Sequence, residues 1–330
     1  MMTNDYENRL ERQKHQYAEG AEIHALPAVF HYWSNKYLRP RIEEIFNVST
    51  VRDFYANGFA ELLSTKPDHL KFVSIGSGDC STEIDISEAL IARGLRNFEF
   101  TCLEVSENLI REATTRIQAK GLTDFLKPIY FDVNRDALQS PVHGFMAHHS
   151  LHHILDLERL FDIIDSHLVP DGRFLSQDVI GRNGHKRWPE TLAIIEILWK
   201  IIDNSKKYHH LLKAQHLQFV NYDCSTQGFE GIRAQDIMPL LVSRFSFNAF
   251  FATGGLIDVF VDRGYGPNYD INDSNDIRFI DLVETLNSVL LDLGVIKPTM
   301  LFADMGRKRP QSNPRIHRER SPAFCVRMPT

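Results

Sequence analysis

Residues 72–83 read "FVSIGSGDCSTE". Phe72 to Ile75 form a short apolar run suited to a buried strand. The run ends in Gly76 and Gly78, and a helix-like pattern follows. Glycines let the backbone turn tightly and let a ligand come close to it, and the helix behind presents unpaired N–H groups. Strand, tight turn and helix in this order are the opening unit of an α/β sheet.

The same rhythm continues outward. "FEFTCLEV" and "LKPIYFDV" read as the second and third strands, "GFMAHHS" as the fourth and "RFLSQDVIG" as the fifth. Between them lie the helix patterns "TEIDISEALIARG", "NLIREATTRIQAKG" and "DLERLFDIIDSHLVPDG", stopped by Gly94, by Gly121 and by Pro170 with Gly172. Alternation with short connections predicts an α/β fold: a Rossmann-like, seven-stranded, mostly parallel sheet with helices on both faces. The sixth and seventh strands are expected at 247–255 and 298–305. Five segments follow. Residues 1–65 read as N-terminal helices, 66–183 as the core and 184–235 as a helical cap insertion that includes "YHHLLKAQHLQF". Residues 236–305 complete the core, and 306–330 read as a basic flexible tail.

The 330 residues, 43% of them apolar, are ample for a large core. From Gly306 onward there are seven Lys/Arg and one Glu, within a chain of net charge −6. Basic charge confined to a tail argues against a nucleic-acid partner. The four cysteines, Cys80, Cys102, Cys224 and Cys325, form no paired motif. The N-terminus is polar and no apolar run reaches about 18 residues, so no membrane partner is expected and the localisation read is cytoplasmic.

In open α/β sheets the ligand binds beyond the C-terminal ends of the strands. The first such end is Gly76-Ser77-Gly78. A dinucleotide fingerprint would place a third glycine at 81, where Ser81 stands. The second end carries Glu104, whose carboxylate can accept from two ribose hydroxyls or stand as a surface acid. The third carries Asp132, an acceptor for an exocyclic amine or a turn residue. The fourth carries His148, His149, His152 and His153. With no cysteine or paired carboxylate near in sequence, these are expected to hold no metal, and one of them suits a general base.

Residues 71–181 resemble the core of the class I S-adenosylmethionine-dependent methyltransferases. Gly76 and Gly78 match the first two glycines of the family's "LDLGxGxG" motif. Glu104 and Asp132 match the residues that end its second and third strands, "HHSLHHI" is similar to its "NxxLHH" segment, and "LVPDGRFLSQDVIG" to its "LKPGGxLxxxD" segment. The sequence departs from the pattern at Ser74, where an acid precedes the loop, at Cys80 in the third glycine place, and at His148 in the Asn place. The carboxylate that reaches the methionine amine is therefore missing from its usual position, and Asp79, Glu83 or a backbone carbonyl could replace it. "IGRNGHKRWPE" and "FHYWSNKYLRP" resemble bacterial methyltransferases found among glycan and secondary-metabolite genes.

The resemblance implies S-adenosyl-L-methionine as cofactor and methyl transfer to a small-molecule acceptor, at an oxygen of a sugar-like or secondary metabolite. Its cofactor site would comprise Ser74, Gly76, Gly78, Asp79, Glu104, Val105, Asp132, Val133 and His148. Tyr32 and Trp33 would form a lid over the sulfonium or pack the N-terminal helix. His149, His152 and His185 are the catalytic candidates, and Arg182, Arg187 and Trp188 the acceptor-binding ones. The inserted helices would close over the acceptor or form a homodimer face. A nicotinamide-dependent oxidoreductase and a non-catalytic Rossmann-like scaffold are the competing readings. No NPPY- or DPPY-like tetrad follows the fourth strand, which argues against a nucleic-acid acceptor.

Overall fold

The computed structural model describes residues 6, 7, 9, 11, 12, 26–226 and 228–328. The charged helix expected over 5–20 lies largely outside the described residues. Helix α1 (Ala28–Trp33) runs through a π turn (Ser34–Leu38) into α2 (Arg39–Phe46), which Asn47 ends in the left-handed region. Helix α3 (Val51–Thr65) follows, its first turn capped by Thr50, whose Oγ1 accepts from Asp53 N at 3.0 Å.

The alternating core then runs β1 (Leu70–Ile75), α4 (Ser81–Ala92), β2 (Phe98–Glu104), α5 (Glu107–Ala119), β3 (Leu126–Tyr130), β4 (Val142–His148), α6 (Leu157–His167) and β5 (Leu168–Val179). Beyond it come α7 (Pro189–Ile201), α8 (Ala234–Arg244), β6 (Phe245–Thr253), α9 (Asp258–Val261), α10 (Ser274–Asp292), β7 (Met300–Arg307) and β8 (Arg315–Ile316). Among the described residues no helix is long and apolar enough to cross a membrane.

The strands form one sheet in the order β8-β6-β7-β5-β4-β1-β2-β3. All pairings are parallel except those of β7, which runs antiparallel to both β5 and β6. A dinucleotide sheet of the 3-2-1-4-5-6 order has no such inserted strand. Ile75 stands level with Leu103 on one side and Ala147 on the other, and His148 with Gln177. That register brings the turns after β1, β2, β4 and β5 to one edge.

Two apolar layers cover the faces. One gathers Phe59, Phe72, Phe98 and Phe100 with residues of α1 to α5, α7 and α10. The other packs Phe161 of α6 and Leu241 of α8 on Phe174 and Phe245. At 25 cal/mol per Å², each such buried aromatic contributes about 2–3 kcal/mol.

Three expectations need correction. Helix α6 ends at His167, and Pro170 with Gly172 lie in a bulged entry to β5, where the register with β4 shifts between Val142 and Gly144. "YHHLLKAQHLQF" is not helical. Residues 208–209 and 214–215 pair as a small hairpin turning through Lys213 at φ +51°. Its rings dock instead: His209 lies edge-on to Tyr265, and His216 Nδ1 is 2.7 Å from the Tyr265 hydroxyl. The leucines that suggested a helix, Leu211, Leu212 and Leu217, are exposed.

The basic tail folds back on the core. β8 pairs with β6, an eighth strand beyond the seven expected. Arg320 is 2% exposed, donating from Nε to Asp292 at 2.7 Å and from Nη2 to the Ser288 carbonyl at 3.1 Å. Arg327 donates to Glu190 of α7 at 3.0 Å. The expected cost of Arg320→Ala is about 2–3 kcal/mol, from lost packing of the buried side chain and from the Ser288 carbonyl and one Asp292 oxygen losing their donor, Arg318 still pairing with the other. Urea denaturation monitored by tryptophan fluorescence checks it, and a change within 0.5 kcal/mol (an order-of-magnitude threshold for surface sites) would show the tail to be loosely held.

Candidate functional site

The glycine loop leaves β1 with Gly76 at φ +63° and Gly78 at φ +56°. A Cβ on Gly76 would meet Ser150 Cβ at 2.8 Å, whereas Gly78 has nothing within 4 Å and leaves its backbone open. Glu104, 8% exposed, reaches across from β2: its Oε2 accepts from Gly78 N at 3.0 Å. Its Oε1 accepts from Val105 N and Ser106 N at 2.9 and 2.8 Å. Burial nevertheless raises its pKa, the three backbone donors opposing. A carboxylate has about four acceptor sites, so one remains for a ligand hydroxyl.

Ser74 and Glu83 are joined. Glu83 sits in the first turn of α4, 2% exposed, and its Oε1 accepts from Ser74 Oγ at 2.5 Å. Its Oε2 has no partner, and neither do Ser77 Oγ, Ser150 Oγ and Gln177 Oε1 at the same strand ends. Burial pushes the Glu83 pKa up to about 7, with Asp79 and Glu104 adding to it and Ser74 opposing. Asp79 is occupied differently, accepting from Ser81 N at 3.0 Å and pairing with Arg116 at 3.0 Å. Val105 and Val133 lie beside Glu104 and Asp132 at their strand ends, Val133 buried. Asp132 accepts from Asn134 N at 2.9 Å and from the Tyr6 hydroxyl at 2.8 Å.

The turn after β4 is built around Asp178, the fully buried end of β5. Its Oδ2 accepts from Ser150 N and Leu151 N at 2.9 and 2.8 Å, and its Oδ1 from Val179 N at 2.8 Å. His152 Nδ1 donates to Oδ1 at 2.5 Å. Burial opposes the charged form of both groups. Their attraction wins, holding Asp178 down at about 2 and raising His152 to about 10.

The far side of His152 meets Glu230. Its Oε1 is 3.5 Å from His152 Nε2 and 2.6 Å from His185 Nε2, while Oε2 is 3.6 Å from His153 Nε2. His149, at φ +50°, has an exposed ring and accepts at Nε2 from the Gln177 amide at 2.9 Å. The His148 ring stands edge-on to Tyr55, whose hydroxyl bridges the Ala147 carbonyl and Gln177 N.

The sequence singled out His149, His152 and His185, and the structure brings them into one row of rings: 6.2 Å from His149 to His152, 5.3 Å from His152 to His185. Glu230, Asp178, Gln177 and Tyr6 were not singled out. The other candidates go elsewhere. Trp33 is 1% exposed and donates to Glu284 of α10 at 2.7 Å, and Tyr32 donates to Asp281 at 2.9 Å. Both thus serve the helix packing that was the alternative to a lid. Arg187 is paired with Asp258 at 3.1 Å. Trp188 is buried beneath Arg182 and Arg327, whose guanidinium carbons lie 5.9 and 5.0 Å from its ring.

No protein-family model matches the chain, and no curated protein matches it. Among solved structures it is similar to the O-methyltransferase from a trans-AT PKS multienzyme of Brevibacillus brevis, in complex with S-adenosyl-L-homocysteine. There the identity is 15% over 88% of this chain and 82% of that one, with a TM-score of 0.45. It is similar to a geranyl diphosphate methyltransferase in complex with SAM, at 10% identity over 77% and 84%, TM-score 0.43. It is also similar to a mitomycin 7-O-methyltransferase, at 15% identity over 91% and 68%, TM-score 0.40.

The buried Glu83 carboxyl has a consequence for stability. Its folded pKa of about 7 lies above the exposed value of 4.5, so the native state keeps a proton that the unfolded chain loses. Its contribution is fully present below the unfolded pKa and is lost as pH rises through the folded one. The expected outcome for Glu83→Gln is unchanged stability near pH 4 and a gain on the order of 1–3 kcal/mol near pH 8. Denaturation at both pH values checks this, and equal pH slopes for variant and wild type would mean that Glu83 is ionised throughout.

Proposed function

We propose that the chain is an S-adenosylmethionine-dependent methyltransferase that methylates an oxygen of a small, hydroxyl-bearing acceptor such as a sugar-like or secondary metabolite. The observation that carries this is the set of unpartnered buried polar atoms, Ser77 Oγ, Glu83 Oε2, Ser150 Oγ and Gln177 Oε1, at the strand ends beside Glu104. Buried polar groups without partners are rare and want a ligand. This set contains what the cofactor's polar parts require. When bound, S-adenosylmethionine supplies a methyl group activated by the positive sulfonium.

Glu104 would hold one ribose hydroxyl with its remaining acceptor site. Gly78 leaves room for close approach to the loop, and the first turn of α4 lies behind it. Glu83 supplies the carboxylate that Ser74 does not, and its free Oε2 would take the ammonium group. Asp132 faces the Tyr6 hydroxyl, which a ligand amine would replace. On the acceptor side, Asp178 and Glu230 hold His152 in place, and His185, which shares Glu230 with it, would take the hydroxyl's proton on its ring nitrogen. The strand inserted between β5 and β6, with Ser81 in the third glycine place, favours this reading over a nicotinamide-dependent one.

Two outcomes are expected. Titration calorimetry gives micromolar S-adenosylmethionine binding, weakened about 10–100-fold by Glu104→Ala through loss of a charged hydrogen-bond acceptor. Absence of binding to the wild type overturns the assignment. His152→Ala keeps cofactor affinity within about threefold but loses on the order of 10²-fold or more in transfer, read as S-adenosylhomocysteine formed with a panel of hydroxylated acceptors. Unchanged turnover in that variant removes the histidine group from the chemistry.

A further inference from the structure

Three separate segments converge on one small volume beside the acceptor face: the turn after β4, the loop after β5, and residues 230–232 ahead of α8. They are tied by backbone bonds that do not involve the side chains concerned. Ile232 N donates to the His152 carbonyl at 3.1 Å, and Gly184 N to the Gly231 carbonyl at 2.8 Å. Gly184, His185 and Gly231 all sit at positive φ, at +66°, +57° and +64°. A Cβ on Gly231 would stand 3.1 Å from both Gly184 N and His185 Cε1. The chain accepts left-handed backbone at a non-glycine residue here to deliver the His185 ring.

What these segments deliver is a donor set. One ligand atom from each of His152, His185 and Glu230 lies within 4.8 Å of the other two. His152 already has the orientation a metal-bound imidazole takes: Nδ1 donates to the Asp178 carboxylate, which three backbone N–H groups fix, so Nε2 faces Glu230. The gap from that Nε2 to Glu230 Oε1 is 3.5 Å, beyond a good hydrogen bond. It is close to the roughly 3.3 Å separating two donors that each lie about 2.0–2.1 Å from a tetrahedral zinc, while the 2.6 Å from His185 Nε2 to Glu230 Oε1 is a hydrogen bond that the ion would replace as the two side chains part. The His185 side chain is 24% exposed and that of Glu230 32%, so one side of the set stays open.

We infer that His152, His185 and Glu230 form a binding site for a divalent transition-metal ion of the Zn2+ or Co2+ type, with Asp178 as the positioning carboxylate and an open place for the acceptor's oxygen. Two imidazoles and one carboxylate with an open position are the ligand set of catalytic zinc sites. Such an ion lowers the pKa of a coordinated hydroxyl, so the inference deepens the proposed function at its acceptor side and rests on that reading for its chemistry. The donor set itself does not depend on it.

The test uses the full chain, stripped of metal with a chelator and dialysed. Equilibrium dialysis against Zn2+ and against Co2+ with elemental analysis gives stoichiometry, and the visible Co2+ spectrum reports the coordination. The inference expects about one equivalent in the wild type and in His69→Ala, a histidine variant outside the site. It expects loss of about 100-fold or more in affinity in His185→Asn and Glu230→Gln, and weakening of about 10–100-fold in Asp178→Asn. Glu230→Gln keeps the side chain's size and a hydrogen bond to His185, which guards against misfolding. Equal stoichiometry in all variants, or none in the wild type, overturns the site. S-adenosylmethionine affinity measured on the same samples separates the two readings: cofactor binding without metal sinks the ion alone, and metal without cofactor sinks the methyltransferase assignment alone.

Discussion

A carboxylate with no access to water must be satisfied by protein donors, and Asp178 is such a group, at 0% exposure. Its four donors come from Ser150, Leu151, His152 and Val179. Three of those residues form the turn after β4, so the demand of one buried anion decides how that turn runs. It also explains why the turn begins with His149 in the left-handed region: the backbone must reverse at once for the next two N–H groups to point at β5. Leaving such a charge unpaired would cost several kcal/mol, more than the strain at His149. The imidazole row is thus a consequence of hydrogen-bond satisfaction at a strand end before it is anything catalytic.

The cofactor side follows a parallel rule with a different solution. Glu104 meets three backbone N–H groups and thereby locks the glycine loop to β2. Glu83 has only Ser74, and its second oxygen is left over. A serine on the strand and an acid on the helix together put a carboxyl over the end of β1. The difference between Glu104 and Glu83 lies in satisfaction: the first is mostly spent on the fold, and the second is held in reserve.

Much of this was legible in the sequence. The strands β1 to β7 carried runs rich in apolar residues, and the helices after β1 and β2 had clear stops at Gly94 and Gly121, both at positive φ. Gly76, Gly78, Glu104 and the four histidines stood at strand ends because the alternation placed them there. The hairpin over 208–215 was misread because its leucines have helical spacing but no surface to bury against, while His209 and His216 dock on Tyr265. The tail was read as solvated because arginines dominate it. Arg320 and Arg327 pair with Asp292 and Glu190, partners that no local pattern announces. Glu230 escaped for the same reason: it lies 78 positions from His152 in sequence, and only the fold closes that distance.

The insertion between β5 and α8 therefore does more than cover an edge. Its two ends carry His185 and Glu230 and pair with each other through Gly184 and Gly231. Near its start Arg187 pairs with Asp258, and Arg187 N donates to Asn221 Oδ1 at 2.7 Å, tying that start to the later part of the insertion. Arg233, just past it, grips Glu158 of α6. Arg9 reaches its far loop, donating to the carbonyls of Ser225 and Gly228 at 3.0 Å. Tyr6, from the same N-terminal segment, touches Asp132 on the other side of the strand ends and packs its ring 5.4 Å from Phe229, next to Glu230. One short stretch of chain thus ties the end of β3 at Asp132 to the segment that carries Glu230, and holds the insertion against the strand ends.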